Sequence, residues 1–389
     1  MTIVTLLISL LLVVCGVYVA YLAIFAFAGI LVPAKKYASS DRKSRFAVFL
    51  PAYKEDGVIL NSTKKALEQN YPKELFDVIV IADSMKPETI GLLNQLPVKT
   101  IVVSFELSSK SKALNFAMNT LDDNAYDIAL ILDADNIMED DFLDKINAAF
   151  QNGWSIVQGH RTAKNTNTTT AVLDAISEES NNHIFNKGHR ALGLSSRLLG
   201  SGMAFDYKLF KDTMIKIDTL GGFDKELEMR LLKKEYAFEY LDDALVYDEK
   251  VQNPEVFEKQ RTRWIAAQLK YLKSNFFSGF VHLFRGNIDY FNKVFQAMML
   301  PRIILLGLLF ILVPVTILLK NYQQTILALS MISALAIVFF ISIPGWLKKQ
   351  IGWREILLLP KLFFKFLKSI TKIGDANKKF IHTPHDTTH

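Results

Sequence analysis

The stretch IALILDADNIMEDDF, residues 128–142, decides how the middle of this chain is read. A continuous apolar run, 128–132, ends in Asp133 and Asp135, one residue apart, and Glu139, Asp140 and Asp141 follow within two turns. A short apolar run closed by polar residues reads as a buried strand. Similar runs stand at 46–50, 78–81 and 99–103, with helical patterns between them at 57–69, 87–95 and 112–121. Strands alternating with helices predict an α/β fold with a mostly parallel sheet covered on both faces. Ligands of such sheets bind beyond the C-terminal ends of the strands.

Those ends carry charge. The first is Pro51-Ala52-Tyr53-Lys54-Glu55-Asp56, the second Ala82-Asp83-Ser84, the third leads to Lys110-Ser111-Lys112, and the fourth is Asp133-Ala134-Asp135. A lone acid at a strand end is usually a solvated loop residue. Four charged segments on one edge point instead to a charged ligand. Carboxylates are hard oxygen ligands that suit Mg²⁺ or Mn²⁺ shared with phosphate oxygens. In extended chain Asp133 and Asp135 face the same side, so one can hold metal while the other orients substrate. Lys110 or Lys112 adds positive charge near a phosphate. Glu139, Asp140 and Asp141 are expected at the start of the next helix, where carboxylates favour the dipole.

The 389 residues allow one large or two ordinary domains, and half of them are hydrophobic. That apolar excess is concentrated. Residues 3–32 carry no charge, and two further runs, 294–319 and 325–343, are interrupted only by Arg302. Each is long enough to span a bilayer. The first run lacks a basic leader and a small-residue cleavage site, so it reads as a retained anchor. Lys35, Lys36, Arg42, Lys43 and Arg45 follow it, which places its C-terminal side in the cytoplasm. The two later spans cross out and back, returning the chain at Lys348-Lys349. Residues 348–389 hold nine Lys and Arg against three acids, which accounts for the whole net charge of +6. Residues 353–372 interleave Leu and Phe with Lys, as an interfacial helix on anionic lipid does; lipid rather than nucleic acid is the expected partner. The single cysteine, Cys15, lies in the first run and excludes a disulfide framework or a cysteine metal site.

Three further segments carry candidate chemistry. In EVFEKQRTRWIAAQLKYL, residues 255–272, Gln260, Arg263 and Trp264 share a helix face. An aromatic platform beside a guanidinium and an amide suits a sugar ring and a diphosphate; an amphipathic helix lying against a membrane has the same pattern. GSGMAF, residues 200–205, is a glycine-bracketed turn through Gly200, Ser201 and Gly202 that lets backbone approach a ligand. GGFDKELEMRLLKKEY, residues 221–236, starts a helix with Asp224 in its first turn. Asp224 is either a carboxylate favoured by the helix dipole or a general base.

In this order the segments resemble the family 2 inverting, membrane-bound glycosyltransferases, the group of cellulose, hyaluronan and chitin-oligosaccharide synthases. LPAYKED is similar to the family's nucleotide-binding opening through Pro51, Ala52, Tyr53 and Glu55, and Asp83 corresponds to the aspartate that contacts the base. KSKALN resembles the segment near the diphosphate, with Ser111 where glycine is common. Asp133-Ala134-Asp135 matches the metal-binding D-x-D, GSGMAF the acceptor-side turn, and QRTRW the Q-x-x-R-W motif. Asp224 matches the catalytic aspartate of a Glu-Asp pair whose glutamate is replaced here by Phe223.

The resemblance implies a GT-A domain that uses a nucleotide-diphosphate sugar, a UDP-sugar foremost, with Mg²⁺ or Mn²⁺. Asp135, with Asp133, would hold the metal. Asp224 would act as base, Lys110 and Lys112 would lie near the diphosphate, and Gln260, Arg263 and Trp264 would hold diphosphate and acceptor. Gly200, Ser201 and Gly202 would face the acceptor. The expected organisation is an anchor at 1–32, a cytoplasmic catalytic domain at 33–254, the Q-x-x-R-W and interface helices at 255–292, two transmembrane helices at 293–345 and a basic amphipathic tail at 346–389. The expected setting is a multi-pass protein of a cell membrane, the bacterial inner membrane foremost. Two acceptors follow, a growing β-linked polysaccharide extended processively or a lipid-linked acceptor that receives one sugar. A homo-oligomer or export partner would complete a channel in the first case. A third reading is a non-catalytic membrane scaffold that retains the fold.

Overall fold

The computed structural model describes residues 3–371. One eight-stranded sheet organises the middle of the chain: β1 (Phe46–Tyr53), β2 (Phe76–Asp83), β3 (Lys99–Val103), β4 (Ile128–Ile131), β5 (Ile137–Met138), β6 (Ile156–Ala163), β7 (Met203–Asp206) and β8 (Glu239–Asp248), in the order β3-β2-β1-β4-β7-β6-β8-β5. The four strands read from sequence pair in parallel. The later half does not follow the expected parallel pattern: β7 is antiparallel to β4 and β6, and β5 to β8, so the sheet is mixed. Met203–Asp206 is only four residues long and opens directly from the glycine turn, which is too short for a periodic signal.

Strands β1, β2 and β4 are apolar on both faces because helices cover both. Ala47, Phe49, Ile79 and Ile81 enter one core layer; Phe46, Val48, Leu50, Val78 and Val80 enter the other. This is the two-residue alternation of a strand sorted between two cores. The α-helices up to β8 are α1 (Ile3–Leu31), α2 (Ile59–Leu67), α3 (Pro87–Leu93), α4 (Lys110–Thr120), α5 (Phe142–Gln151), α6 (Thr169–Asn181), α7 (Gly188–Ala191), α8 (Tyr207–Met214) and α9 (Phe223–Lys233). Of these α1 stands apart, at the centre of a separate apolar cluster. The acids after the D-x-D behave as expected: Asp141 precedes α5, and Lys145 pairs with Glu139 at 3.0 Å and with Asp141 at 2.8 Å.

After β8 come α10 (Pro254–Phe284), α11 (Ile288–Met298), α12 (Arg302–Leu318), α13 (Tyr322–Ser342), α14 (Gly345–Lys348) and α15 (Trp353–Thr371). Two helices, α1 and α13, are each long and apolar enough to cross a membrane. The run expected as one span from 294 to 319 is broken. Its first part lies in α11 and its second in α12, bent by 55°. Pro301 at the break has no amide hydrogen to continue a helix. The polar side of α11 explains the bend: Lys293 is buried and donates to the Ser196 carbonyl at 2.9 Å, which ties α11 to the sheet domain.

The N-terminal ends of α1 and α13 meet where Gln324 donates to Ser9 Oγ at 2.7 Å and to the Thr5 carbonyl at 3.1 Å. Gly29 of α1 and Ser342 of α13 meet the sheet domain around one cavity, so the two helices run parallel, as an out-and-back path requires. Helix α15 docks on α12, with Phe363 filling the space above Gly307, and Lys365 pairs with Glu258 of α10 at 3.3 Å. Trp353, Leu357 and Phe364 remain exposed, which retains the apolar face expected of an interfacial helix. Residues 372–389 of the expected basic tail lie outside the described residues.

Helix α7 presses on α1 so closely that a Cβ on Gly188 would lie 2.1 Å from the Phe25 carbonyl oxygen. Gly188→Leu is therefore expected to destabilise the docking of α1 by about 1–3 kcal/mol, read as a lower melting temperature of the detergent-solubilised protein. Gly91→Ala, at a helical position with nothing within 4 Å of the added carbon, is the matched control and should not lower it.

Candidate active site

Strand register brings the candidate residues together. Tyr53 pairs with Asp83, and Asp83 with Val103, so β1, β2 and β3 end level. Ile131 faces Met203, which starts β7 at the same edge and places the turn of residues 200–202 against the D-x-D. Two non-glycine residues immediately beyond strands take left-handed backbone, Lys54 and Ser84, both with φ of 55°. Such conformations carry strain and cluster at functional sites.

Asp83 is buried and accepts hydrogen bonds from Ser84 Oγ at 2.9 Å and Ser108 Oγ at 3.1 Å. Burial raises its pKa above the usual carboxylate value, and the two hydroxyls and Lys54 offset this only in part. Pro51 and Ala52 lie at the end of β1, Ala52 fully buried, while the Glu55 carbonyl receives the first amides of the α2 turn. The Lys54 amide donates to the Asp83 carbonyl at 3.1 Å and locks the two strand ends together.

Lys110 opens α4 behind the Ser109 cap. Its ammonium is hydrogen-bonded to Asp133, donates to the Gly200 carbonyl at 2.7 Å and lies 5.3 Å from the centre of the Phe223 ring. Lys112, the other candidate, turns away two positions later and donates to the Leu107 carbonyl at 3.1 Å. Only Lys110 is brought to the aspartates.

The glycine turn is a clamp. Gly200 and Gly202 have φ of +81° and +62°, which glycine adopts at little cost. Gly202 donates to the Ile131 carbonyl at 2.9 Å, and the Asp133 amide donates to Ser201 Oγ at 2.9 Å. Asp224, in the first turn of α9, lies beside this turn: a Cβ on Gly200 would be 3.9 Å from its Cγ. Asp224 thus shares one small region with Lys110, Asp133 and Gly200.

Asp135 is buried. With the Asn136 amide turned to satisfy both its groups, its nitrogen donates to Asp135 at 3.1 Å and to Asp248 at 3.0 Å, and its oxygen accepts from Ser201. Asp248 pairs with Lys250 at 2.6 Å, Lys250 with Glu178, and Glu178 with Arg161 at 2.6 Å, whose guanidinium returns to Asp133 at 3.9 Å. A chain of alternating charge, Asp133–Arg161–Glu178–Lys250–Asp248, thus runs around the D-x-D loop and returns to Asp135 through the neutral Asn136 amide. Burial opposes the charges of Arg161 and Lys250, but the acids around them outweigh it and hold both pKa values above normal. Two carboxylates one residue apart at a strand end suit a divalent cation, and one or two protein carboxylates suffice when substrate phosphate completes the set. Among the described residues no cluster of three or more metal-binding side chains exists, so the remaining ligands would come from substrate and water.

The Q-x-x-R-W helix is joined to this network by a residue that sequence reasoning passed over. Arg261 donates to Asp174, one turn before Glu178 on α6, at 2.5 Å, and stacks on Trp264 with its guanidinium 4.4 Å from the ring centre. Trp264 is half-exposed, and the Gln260 side-chain oxygen is buried without a hydrogen-bond partner. Arg161, Glu178, Lys250, Asp248 and Arg261 carry no spacing signal. They converge only through the parallel pairing of β6 with β8 and the packing of α6 over them.

One residue from Arg161, past a register shift at Gly159/His160, His160 lies between Glu179 at 3.0 Å and Asp242 at 3.3 Å. Burial disfavours its charged form, but bonds to Asp242 and Glu179 outweigh this and push its pKa from 6.5 up to about 10. Because the folded value is the higher, the stabilisation is complete below 6.5 and lost as pH rises through about 10. Denaturant titrations should show stability falling across that window, and His160→Gln should flatten the dependence.

Residues 44–267, more than half of the chain, match the family described as glycosyltransferase like family 2. The probable glycosyltransferase YdaM of Bacillus subtilis is 21% identical over 259 residues, which are 63% of this chain and 60% of that protein. Among solved structures, the mannosyltransferase PcManGT from Pyrobaculum calidifontis, in complex with GDP-Man and Mn²⁺, superposes with a TM-score of 0.52 at 15% identity over 85% of this chain and 97% of its own. S. aureus TarS 1–349, in complex with UDP-GlcNAc, gives 0.41 at 16% identity over 86% and 90%. At such identities PcManGT speaks to the fold alone. The mixed sheet with its D-x-D edge and the extent of the family match lead to one conclusion: the chain belongs to the family 2-like glycosyltransferases.

Proposed function

We propose that this protein is a membrane-bound inverting glycosyltransferase that moves a sugar from a nucleotide-diphosphate sugar, a UDP-sugar foremost, to an acceptor hydroxyl. The observation that carries the reading is the meeting of Lys110, Asp133 and Asp224 around Gly200, at the end of the strands that also present Asp83. In this reading Asp83 and the turn after β1 receive the nucleoside. Lys110, already bridging Asp133 and the glycine turn, contributes its charge to the diphosphate. Asp135 and Asp133 would hold a divalent cation, which would supply further positive charge to the departing diphosphate. Asp224 takes the acceptor proton as the hydroxyl attacks the anomeric carbon from the face opposite the leaving group. Phe223 offers its ring to Lys110 where a second carboxylate would otherwise stand, so one acid performs the proton transfer.

Two acceptors follow from Gln260, Arg263 and Trp264: a growing β-linked polysaccharide or a lipid-linked acceptor. The packing of the apolar helices favours the second. Leu12, Leu22, Leu305, Leu309 and Leu335 of α1, α12 and α13 fill one shared core, which occupies the space a polymer passage would need. The catalytic domain lies where α1 and α13 end, and Lys35, Lys36, Arg42, Lys43 and Arg45 beyond α1 support transfer at the cytoplasmic face.

Incubation of the purified protein with radiolabelled UDP- and GDP-sugars, Mn²⁺ and a membrane lipid extract tests both. A lipid-extractable product carrying one sugar is expected; long insoluble product would establish polymer extension, and no transfer from any donor would refute the enzyme reading. Asp224→Asn should lower turnover by at least about 10²-fold, the usual scale of general-base catalysis, while UDP still binds. Normal turnover would remove Asp224 from the role of base. Asp135→Ala should abolish the Mn²⁺ dependence of nucleotide binding measured by calorimetry.

A further inference from the structure

The C-terminal ends of α1 and α13 frame a cavity of about 380 Å³ against the catalytic domain. Its membrane-side wall is apolar, formed by Ile30, Ile341 and Ile343. The opposite wall is charged, formed by His160, Glu179, Lys187 and Asp242. None of these residues serves the transfer reaction proposed above. Part of the charged wall is the π-helical turn Asn182–Lys187, a rare conformation that concentrates at functional sites. The turn is tied to α1 by a 2.9 Å contact between His183 Nε2 and the Ala26 carbonyl.

The charges define the ligand. Protonated His160 bridges Glu179 and Asp242, and Lys187 donates to Asp242 at 3.0 Å, so two cations face two carboxylates. An ammonium has three donors and a carboxylate about four acceptor sites, so both signs retain capacity for a ligand. Ser342 also lines the cavity; the residue is 2% exposed and its hydroxyl has no hydrogen-bond partner. A purely anionic ligand would face Glu179 and Asp242; a purely cationic one would face Lys187. Outside the cavity, Leu31 and Phe340 expose apolar surface on the two helices, and Lys348 lies 4.2 Å from the Phe340 ring centre. A ligand with a polar, doubly charged head and apolar chains fits both regions.

We propose that this cavity binds the head group of a zwitterionic phospholipid, its amine toward Glu179 and Asp242 and its phosphate toward Lys187 and Ser342. The inference rests on the reading of α1 and α13 as membrane spans. The test uses the full chain in dodecyl maltoside and lysophosphatidylethanolamine carrying a fluorophore on its acyl chain, followed by anisotropy. Saturable binding of one lipid per chain is expected. Loss of a charge-assisted contact in Lys187→Gln, or filling of the space in Ser342→Phe, should weaken it by about ten-fold or more at unchanged melting temperature. Should Lys187→Gln melt lower, Ser342→Phe, which removes no ion pair, decides. Labelled lysophosphatidylglycerol, which lacks the amine, should bind at least about ten-fold more weakly on the same grounds. Absence of saturable binding, equal binding by Ser342→Phe, or equal binding of the two lipids would overturn the proposal. Alkaline extraction of membranes separates the failures: release of the protein refutes the spans, whereas retention without lipid binding refutes the cavity alone.

Discussion

The hydrogen bond from the Asp133 amide to Ser201 Oγ is the contact on which the site depends. It joins the loop after β4 to the turn before β7, two segments separated by nearly seventy residues. The turn is held on its far side, where Gln158 donates to the carbonyls of Ser201 and Gly202. Lys110 and Asp224 then meet at Gly200, which has no side chain to keep them apart. Each of these placements follows from fixing the turn first.

Around that clamp the protein maintains a buried network of charge. Removing one partner of such a pair leaves an uncompensated buried charge, at a cost of about 3–5 kcal/mol. The arrangement is thus unforgiving, and an apolar core would be as stable. What the network adds is position: it sets Asp135 through Asn136 and restrains Asp133 from the side opposite Lys110. Partners that orient ligating groups typically govern metal affinity by one or two orders of magnitude. The same network reaches α10 through Asp174 and Arg261, so the Q-x-x-R-W helix and the D-x-D loop share one electrostatic frame.

The apolar helices are integrated with this domain rather than appended to it. Tyr21 of α1 donates to Asn292 of α11 at 2.6 Å, and Tyr18 to the Met298 carbonyl at 2.9 Å. Lys293, on the same helix, lies 3.5 Å from Glu228 of α9, two turns or fewer from Asp224. Burial opposes ionisation of Glu228, but Lys225, Lys293 and Arg197 overcome it and bring its pKa down to about 2. The candidate base therefore stands on a helix that is anchored by charge to α11.

Much of this was legible in the sequence. Continuous apolar runs identified β1, β2 and β4, because strands buried on both faces need no polar alternation, while β3, a partly exposed edge strand, showed itself by its β-branched residues. The D-x-D, GSG and Asp224 segments were found because their chemistry is local and their order along the chain is fixed. The mixed half of the sheet escaped, since a four-residue strand carries no period. So did the bend at Pro301, because an apolar run records length but not the buried Lys293 that draws its first turns aside. Sequence alone determined the residue types at the strand ends and the reach of the apolar helices, both properties of neighbouring residues. Only the tertiary structure decided which lysine meets Asp133 and which arginine joins the helix to the site. Those choices depend on rotamer direction and on pairing between distant strands, which no spacing along the chain encodes.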